Sequence, residues 1–327
     1  MNTRTRILCW FLGLLVLPVV IIWCVVAQPV FTSKGRSKAV VNPESLRKHV
    51  VAFSQDFVPR SYDDAGNMAR CVAYISGCFR QTGAVVTNQA YVAYRKTPCQ
   101  NIIALFPGQD TQRVVIGAHY DAVPGTPGAD DNASGVAGLL ELARLLHGTK
   151  LRHTVELVAF CSEEPPCYDS EHMGSSHHAQ TLAKQRIPVV AMIALEMIGT
   201  FSEAPGSQRY PVPLLRLFYG SKANFIGVVG DLSQRPLIRT VKSQMQGSTD
   251  LLVRSVSVPS FLPGVDYSDH KNYWENNFPA VMITDTAFYR NRRYHSPDDT
   301  ADRLDYKRMS DVVVGVYEAV VALASGE

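Results

Sequence analysis

The sequence predicts an α/β fold, a three-layer sandwich in which a mostly parallel, mixed central sheet carries helices on both faces. Short apolar runs alternate along the chain with stretches of helical periodicity, which is the pattern of such a sheet. Several of the runs are apolar without interruption, as strands covered on both faces are. Acidic residues and histidines follow where these runs end, and ligands of parallel sheets bind at the carboxyl ends of strands.

Composition indicates an ordinary globular protein with one domain of catalytic size. The chain has 327 residues, of which 46% are hydrophobic and 19% charged, so it can bury a full core. Its formal net charge is +3, and the basic residues are mostly scattered. We therefore do not expect nucleic acid as a partner.

The N-terminus differs from the rest of the chain. Arg4 and Arg6 precede an uncharged apolar stretch, Ile7 to Ala27, that is long enough to cross a bilayer as a helix. Two fates are open, a signal peptide cleaved near Ala27 or an uncleaved signal-anchor, and the length of the stretch favours the anchor. The two arginines indicate that the short tail stays in the cytoplasm and that the globular part is exported.

Localisation follows from that choice. With an uncleaved anchor, the inner membrane is a partner and the globular part lies on its periplasmic face; after cleavage the protein is periplasmic or secreted. Residues 1–27 are then the signal-anchor or signal peptide. Residues 28–45, with prolines, a glycine and several charges, form a linker, and residues 46–327 form the globular domain.

The domain begins with elements that carry no chemistry. Apolar periodicity predicts a helix near Leu46 to Phe53 and a second over Tyr62 to Gln81. Extended segments follow at Gly83 to Tyr94 and at Asn101 to Phe106.

The first chemical stretch follows a strand at Val114 to Ile116. His119 and Asp121 project to the same side of an extended backbone, which suits a metal-bound histidine oriented by a carboxylate. Residues 130–132, Asp-Asp-Asn, then precede a helix over residues 136–146. They bind metal or only cap this helix, because Asp and Asn are favoured at helix starts.

Two further strands end in carboxylates. Thr154 to Phe160 leads to Glu163 and Glu164, and Val189 to Leu195 leads to Glu196. Adjacent residues of extended backbone point in opposite directions, so one of the glutamate pair ligates a metal while the other acts as general base. The alternative for the pair is a solvated acidic loop.

The remainder of the chain supplies pocket walls and one more candidate ligand. Residues 200–224 and 246–267 lack clear periodicity and are expected to wall a pocket. Tyr294 and His295 lie in a turn near the end of the chain. The predicted late elements are strands at Phe225 to Val229 and Ala280 to Asp285 and helices at Pro236 to Met245 and Met309 to Ala324.

Four other histidines receive no chemical role. We expect His172, His177 and His178 at the pocket rim or the surface. Residues 268–270, Ser-Asp-His, are sequence neighbours that do not form a triad by default, so their expected role is structural.

The candidate ligands form one donor set with two imidazoles and three carboxylates, which suits zinc better than calcium. Five ligands exceed the needs of one tetrahedral zinc. Two metals about 3.5–4 Å apart that share a carboxylate use all five. The ligands are His119, Asp131, Glu164, Glu196 and His295.

The motifs and their order resemble the di-zinc aminopeptidases of peptidase clan MH, the family of bacterial leucyl aminopeptidases and aminopeptidase Y. The resemblance covers about residues 90–327. The matching pieces are HYD at 119–121, GADDNASG at 128–135, EE at 163–164, LEMIG at 195–199 and YHSPDDT at 294–300.

The resemblance implies a zinc peptidase domain with two zinc ions per chain. It implies that Asp131 bridges the ions and that His119 and Glu196 bind one of them. Glu164 and His295 are divided, one to each ion.

It also implies three catalytic roles. Asp121 resembles the residue that orients His119, Glu163 the general acid and base, and Tyr294 a hydrogen-bond donor to the tetrahedral intermediate. Glu196 departs from the better-known members, which carry aspartate there. The longer side chain still offers a carboxylate to the metal. We therefore expect the change to affect substrate preference more than metal binding.

The expected function is therefore a metal-dependent exopeptidase that removes N-terminal residues from peptides, with Glu163 as general base. One alternative is glutaminyl-cyclase-like acyl transfer on the same scaffold with a single zinc. The other is a membrane-anchored binding module without catalysis, which Glu196 keeps open.

Overall fold

An eight-stranded mixed sheet forms the centre of the computed structural model, which describes residue 17, residues 20–31 and residues 35–326. The strands are β1 (Val85–Val92), β2 (Pro98–Phe106), β3 (Arg113–His119), β4 (Thr154–Phe160), β5 (Val189–Glu196), β6 (Phe225–Gly230), β7 (Leu252–Ser257) and β8 (Ala280–Thr284).

Strand order in the sheet is β1-β2-β4-β3-β5-β8-β6-β7. The four central strands β4, β3, β5 and β8 run parallel. β1 and β2 add to one side as antiparallel strands, and β6 pairs antiparallel with β8 before β7 continues in parallel. The carboxyl ends of the four central strands therefore meet at one edge of the sheet.

Helices cover both faces, which confirms the predicted three-layer α/β sandwich. They are α1 (Pro43–Val51), α2 (Ala65–Arg80), α3 (Gly135–Leu146), α4 (Gly174–Lys184), α5 (Leu215–Tyr219), α6 (Arg235–Met245), α7 (His270–Glu275) and α8 (Tyr306–Ser325). α1, α2, α3, α6 and α8 pack on one face, and α4 and α7 on the other.

Alternation along the strands explains why both faces need cover. Val114 and Ile116 of β3 pack into the core beneath α3, whereas Val115 between them packs into the core beneath α4. All three side chains are fully buried. An uninterrupted apolar strand is thus required by a sheet that is covered on both sides.

The predicted elements that follow apolar periodicity are confirmed within a few residues, and the missed ones have weak periodicity. α4 buries glycine, serine and histidine along its inner face, so it shows no apolar stripe. β7 alternates more exposed and buried residues at the sheet edge, and two of its three buried residues are serines. The prediction of an irregular segment over residues 246–267 is wrong where β7 lies.

The N-terminal segment is only partly described. Of the predicted membrane-spanning stretch, residue 17 and residues 20–27 are described and helical, and the remainder lies outside the described ranges. A search of the described helices for one long and apolar enough to cross a membrane finds none.

Candidate active site

The site lies where β3, β4 and β5 end. His119 is the last residue of β3 and Glu196 the last residue of β5, and these parallel strands are direct neighbours. Glu163 and Glu164 follow β4, on the other side of β3. Neighbouring strand ends thus bring residues distant in sequence into one buried cluster.

His119 is the centre of a first group of ligand atoms. Its Nε2 lies 3.4 Å from Asp131 Oδ1 and 3.4 Å from Glu196 Oε2. Glu163 Oε2 is slightly farther from the same nitrogen, at 3.9 Å. The first three side chains are candidates to hold one metal ion.

His295 is the centre of a second group. Its Nε2 lies 3.1 Å from Asp131 Oδ2 and 3.3 Å from Glu164 Oε2. Asp131 therefore directs one carboxylate oxygen to each histidine, which is the geometry of a bridging ligand. Glu164 and His295 lie together in this group, which differs from the division of one to each metal that the family resemblance implies.

Proton affinities in the site reflect its burial and its crowding with charge. Burial, together with the negative charge of Asp131, raises the pKa of Glu164 to about 8. Burial also raises the pKa of Glu163 well above its usual range. Desolvation opposes the charged form of His295, but its hydrogen bonds to Asp131 and Glu164 raise its pKa to about 10.

The residues fit a divalent cation. Among the described residues, both ring nitrogens of buried His119 and Glu164 Oε1 lack a hydrogen-bond partner. Buried polar atoms are normally satisfied, so these atoms need an additional partner. Imidazole and carboxylate donors in two groups that share Asp131 are suited to zinc, with manganese and cobalt less specific fits.

Asp121 connects the two loops that carry the ligands. Its carboxylate accepts hydrogen bonds from the backbone amides of Glu163, at 3.1 Å, and Glu164, at 3.0 Å. One of its oxygens also lies 3.5 Å from His119 Nδ1. The carboxylate is thus placed to orient His119 while it fixes the backbone of the glutamate pair.

The acidic loop before α3 contains three polar residues with different surroundings. Asn132 accepts a hydrogen bond from the amide of Gly135, at 3.2 Å, in the manner of a helix cap. Asp130 accepts one from the amide of Gly199, at 3.0 Å, and so ties the loop to the end of β5. Asp131 faces the two histidines instead. The capping interpretation therefore fits Asn132 and not Asp131.

Tyr294 packs directly on the second group. Its ring stacks on His295 with centroids 3.7 Å apart and planes 19° apart. Burial and the neighbouring carboxylates, Asp131 first among them, raise the pKa of Tyr294. The phenol therefore stays protonated at neutral pH and remains a hydrogen-bond donor.

Arg60 is a supporting residue that the sequence analysis missed. Its side chain is 1% exposed and lies beneath the loops that carry His119 and Asp131. Nothing in the local sequence distinguishes it from a surface arginine. It donates hydrogen bonds of 2.5 to 3.0 Å to the backbone carbonyls of Phe53, Tyr120, Pro127 and Gly128.

The Ser-Asp-His stretch lies closer to the site than its expected structural role suggests. Ser268 Oγ donates a hydrogen bond to Glu196 Oε2, at 2.8 Å. Asp269 is buried near His119, and burial raises its pKa to about 7. The Ser-Asp-His pattern is visible in the sequence. However, no local pattern connects Ser268 with Glu196, which is 72 residues away.

The three histidines after the glutamate pair do not reach the ligand groups. His172 packs edge-on against Tyr94. His177 stacks on Tyr91. His178 is 2% exposed, and its Nε2 lies 3.3 Å from Glu156 Oε1 within the core beneath α4. The expectation of a rim or surface position is wrong for His178, because this buried carboxylate partner holds it inside.

A mainly apolar cavity of about 270 Å³ opens beside the ligand groups. Glu196 and Tyr294 of the site are among its lining residues. Residues of the 208–219 and 254–267 segments line it, as expected for pocket walls, together with residues of the N-terminal helix at 22–27. The sheet edge that carries the five candidate ligands is called the metal edge. A group bound there thus has apolar space next to it.

Two groups of histidine and carboxylate, of which only His295 is partly exposed, lie with a nearby glutamate at the carboxyl edge of a mixed α/β sheet and define a metal-dependent hydrolase. Residues 101–320 match the model of Peptidase family M28. The chain belongs to this family, which confirms the resemblance found in the sequence.

Two curated relatives illustrate this relationship. The chain is 47% identical over 308 residues to the uncharacterized protein YfbL of Escherichia coli (strain K12), with 92% of this chain and 93% of that protein covered. It is 25% identical over 288 residues to aminopeptidase YwaD of Bacillus subtilis (strain 168). That match covers 84% of this chain but 57% of the longer relative.

Solved structures share the fold. The Legionella pneumophila LapA aminopeptidase superposes with a TM-score of 0.69 at 20% identity, over 87% of this chain and 72% of that one. A Bacteroides thetaiotaomicron glutaminyl cyclase superposes with a TM-score of 0.65 at 21% identity, over 86% and 99%. The same scaffold therefore serves two reactions.

Proposed function

We propose that this member of the M28 family is a di-zinc aminopeptidase with Glu163 as its general base. The observation that carries the proposal is Asp131, whose two carboxylate oxygens lie 3.4 Å and 3.1 Å from different histidines. One carboxylate between two separate donor groups is the arrangement that a pair of metal ions requires. The aminopeptidases among the relatives support the reaction class.

Two sets of ligands follow from the grouping. His119, Asp131 and Glu196 would hold one zinc ion, and Asp131, Glu164 and His295 the other. When bound, the zinc ions supply Lewis acidity for the scissile carbonyl and for water. His119, Glu163 and Glu164 form a third close group of ligand atoms, and in this proposal Glu163 serves as the base while the other five residues would hold the metals.

Glu163 is suited to proton transfer because of its surroundings. Its carboxylate is buried, and burial raises its pKa, so it accepts a proton more readily than an exposed glutamate does. It takes the proton of the attacking water and then gives it to the leaving amine. Asp121 fixes the backbone amide of Glu163 during both transfers.

Tyr294 has the complementary role at the substrate carbonyl. The phenol is protonated and lines the cavity. It donates a hydrogen bond to the oxyanion as the carbonyl carbon becomes tetrahedral. The N-terminal side chain of the substrate then occupies the apolar cavity beside Glu196.

The N-terminal apolar segment supports export of the catalytic domain to the periplasm. Arg4 and Arg6 before the apolar stretch favour export of the catalytic domain. Peptides outside the cytoplasm are then the available substrates.

The likeness to a glutaminyl cyclase supports a second candidate reaction, the cyclisation of N-terminal glutamine with release of ammonia. The second donor group, at Asp131 Oδ2, favours the aminopeptidase, because the cyclase alternative rests on a single zinc. A test must therefore measure both reactions on the same preparation.

The test is metal analysis of the purified full chain, with hydrolysis of a panel of aminoacyl anilides and ammonia release from glutaminyl peptides. We expect two zinc ions per chain, anilide hydrolysis that chelation abolishes, and recovery when zinc is returned. One zinc with ammonia release would support the cyclase, and a folded chain that binds no zinc would overturn both reactions.

A matched pair of variants tests the general base. We expect Glu163→Gln to keep both metals and to lower kcat by about 10²–10⁴-fold, the usual contribution of general acid–base catalysis. Glu171→Gln changes an exposed glutamate a few residues away and should leave kcat unchanged. Loss of zinc in Glu163→Gln would contradict the separation between base and ligands.

A further inference from the structure

We propose that residues 20–28 form one wall of the substrate cavity and determine which N-terminal side chains the enzyme accepts. This proposal rests on the proposed aminopeptidase function and assigns a part of the active enzyme to a segment that would otherwise serve only for targeting. Three features of the molecule support it: the position of the cavity, the attachment of the segment and the difference between its two faces.

The cavity joins the ligand groups to the N-terminal helix. Its lining includes Glu196 and Tyr294 of the site together with Ile22, Trp23 and Val26 of the helix. A side chain that extends from a substrate held at the metal edge into this cavity therefore has the helix among its walls. Apolar walls favour a bulky apolar side chain over a small or charged one.

The end of the helix is fixed to the catalytic domain by specific hydrogen bonds. Lys242 Nζ donates to the carbonyl oxygens of Ala27, at 2.7 Å, and Gln28, at 3.1 Å. Ser255 Oγ donates to Ala27 O, at 2.7 Å, and accepts from Lys242 Nζ, at 3.2 Å. The last carbonyls of a helix lack partners within the helix, and a lysine there is the favourable charge.

This attachment is buried on both sides. Ala27 is 5% exposed, Gln28 1% and Lys242 6%. A buried ammonium group requires hydrogen-bond partners, and the segment supplies two of the three acceptors that Lys242 has among the described residues. Removal of residues 1–27 would leave this group short of partners. The contact is therefore built into the folded domain.

The two faces of the helix differ in what they meet. Ile21 and Ile22 are each 53% exposed, yet Ile22 lines the cavity, as Trp23 and Val26 do, whereas Ile21 is not among the lining residues. Ile21 provides a matched control, because it is the same residue type with the same exposure on the same helix. A role in the cavity and a general role of the helix can thus be separated.

The experiment measures KM and kcat of the full chain for leucyl, phenylalanyl and alanyl anilides in Trp23→Ala, Ile22→Ala and Ile21→Ala. We expect Trp23→Ala to raise KM for the two bulky substrates by about 10-fold or more, with kcat and the alanyl substrate changed less than about twofold. Ile22→Ala should act in the same direction, and Ile21→Ala should match the unaltered chain. Equal kinetics in all three variants would overturn the proposal.

Binding of phenylalaninol, which has a free amine and an apolar side chain but no scissile bond, separates this proposal from the proposed function. If no anilide is hydrolysed, calorimetry still decides: weaker binding in Trp23→Ala than in Ile21→Ala supports the wall, and equal or absent binding overturns it. If anilides are hydrolysed and the variants do not differ, the wall fails while the aminopeptidase stands.

The attachment of residues 20–28 is tested on the mature protein purified from cells. We expect mass spectrometry of the purified mature protein to find residues 20–28 retained. We also expect Lys242→Met to make the segment more sensitive to limited proteolysis and to raise KM for bulky substrates. A mature chain that begins at residue 28 and keeps the specificity of the uncleaved protein would contradict the proposal.

Discussion

The metal edge and the apolar cavity adjoin each other but are built in different ways. At the metal edge, strand ends and their loops position each ligand, and Asp121 and Arg60 hold those loops through backbone amides and carbonyls. The cavity wall consists of side chains from the 208–219 and 254–267 segments and the N-terminal helix, most of which are apolar.

This difference separates chemistry from selectivity. Hydrogen bonds that converge on a buried backbone fix positions to within a few tenths of an ångström, as metal binding and proton transfer require. Apolar walls on loops and a terminal helix change shape at lower cost. We therefore expect variants of the metal edge to reduce kcat or metal content and variants of the wall to change KM between substrates.

The largest effect is expected at the residue shared by the two donor groups. Asp131→Asn removes the charge between His119 and His295, so we expect loss of at least one zinc ion and a fall in kcat of about 10³-fold or more. Metal analysis and anilide hydrolysis measure both effects. The exposed Asp302→Asn is the control, and a variant with both metals and full activity would argue against bridging.

A substitution of Arg60 tests whether its hydrogen bonds to backbone carbonyls stabilise the loops of the metal edge. Arg60→Met keeps much of the side-chain volume but leaves three buried carbonyls and the part-buried carbonyl of Pro127 without their donor, and each buried one costs about 1–3 kcal/mol. We expect a drop of several kcal/mol in the free energy of unfolding, measured with urea. The exposed Arg80→Met should change it by less than about 0.5 kcal/mol.

The metal-free edge should respond to pH. Glu164 and His295 have pKa values raised to about 8 and about 10, so the folded state binds their protons more tightly than the unfolded state does. Their contribution to stability is complete below their unfolded pKa values of 4.5 and 6.5 and is lost as pH rises. The window between pH 5 and 8 contains most of this loss.

Urea unfolding at pH 5 and pH 8 checks this expectation. With a chelator present, we expect a lower free energy of unfolding at pH 8 than at pH 5. With saturating zinc, which replaces the protons, this decrease in stability should be reduced or reversed. A chelated protein that gains stability toward pH 8 would show that these groups do not dominate the pH response.

The smallest effect is expected on the cavity side. Leu262→Ala shortens a wall residue, so we expect KM for a phenylalanyl substrate to rise by about 10-fold while kcat is kept. Phe261 is the neighbouring residue, 81% exposed and outside the cavity lining, so Phe261→Ala should leave both constants unchanged. A fall in kcat alone for Leu262→Ala would remove the distinction between the two regions.

The same distinction explains which parts could be predicted from the sequence. The five candidate ligands follow buried strands or lie in turns, and the apolar periodicity of β3, β4 and β5 predicts that their ends meet. Periodicity is a local property that the sequence displays directly. The fold class and the candidate ligand set were therefore accessible without coordinates.

Arg60, Ser268 and the wall at Trp23 were not accessible in this way. Each acts through a partner far along the chain, as Ser268 does with Glu196, and only the folded chain reveals the pairing. α4 and β7 were missed for a related reason, because serine, glycine and histidine on an inner helix face and an exposed sheet edge give no apolar signal.

The central claim is that one carboxylate, Asp131, joins two zinc sites. Anomalous diffraction at the zinc absorption edge, from crystals of the zinc-loaded full chain, tests it directly. We expect two anomalous peaks about 3.5–4 Å apart, one against each carboxylate oxygen of Asp131. A single peak between His119 and Glu196, with Glu164 and His295 unligated, would contradict it.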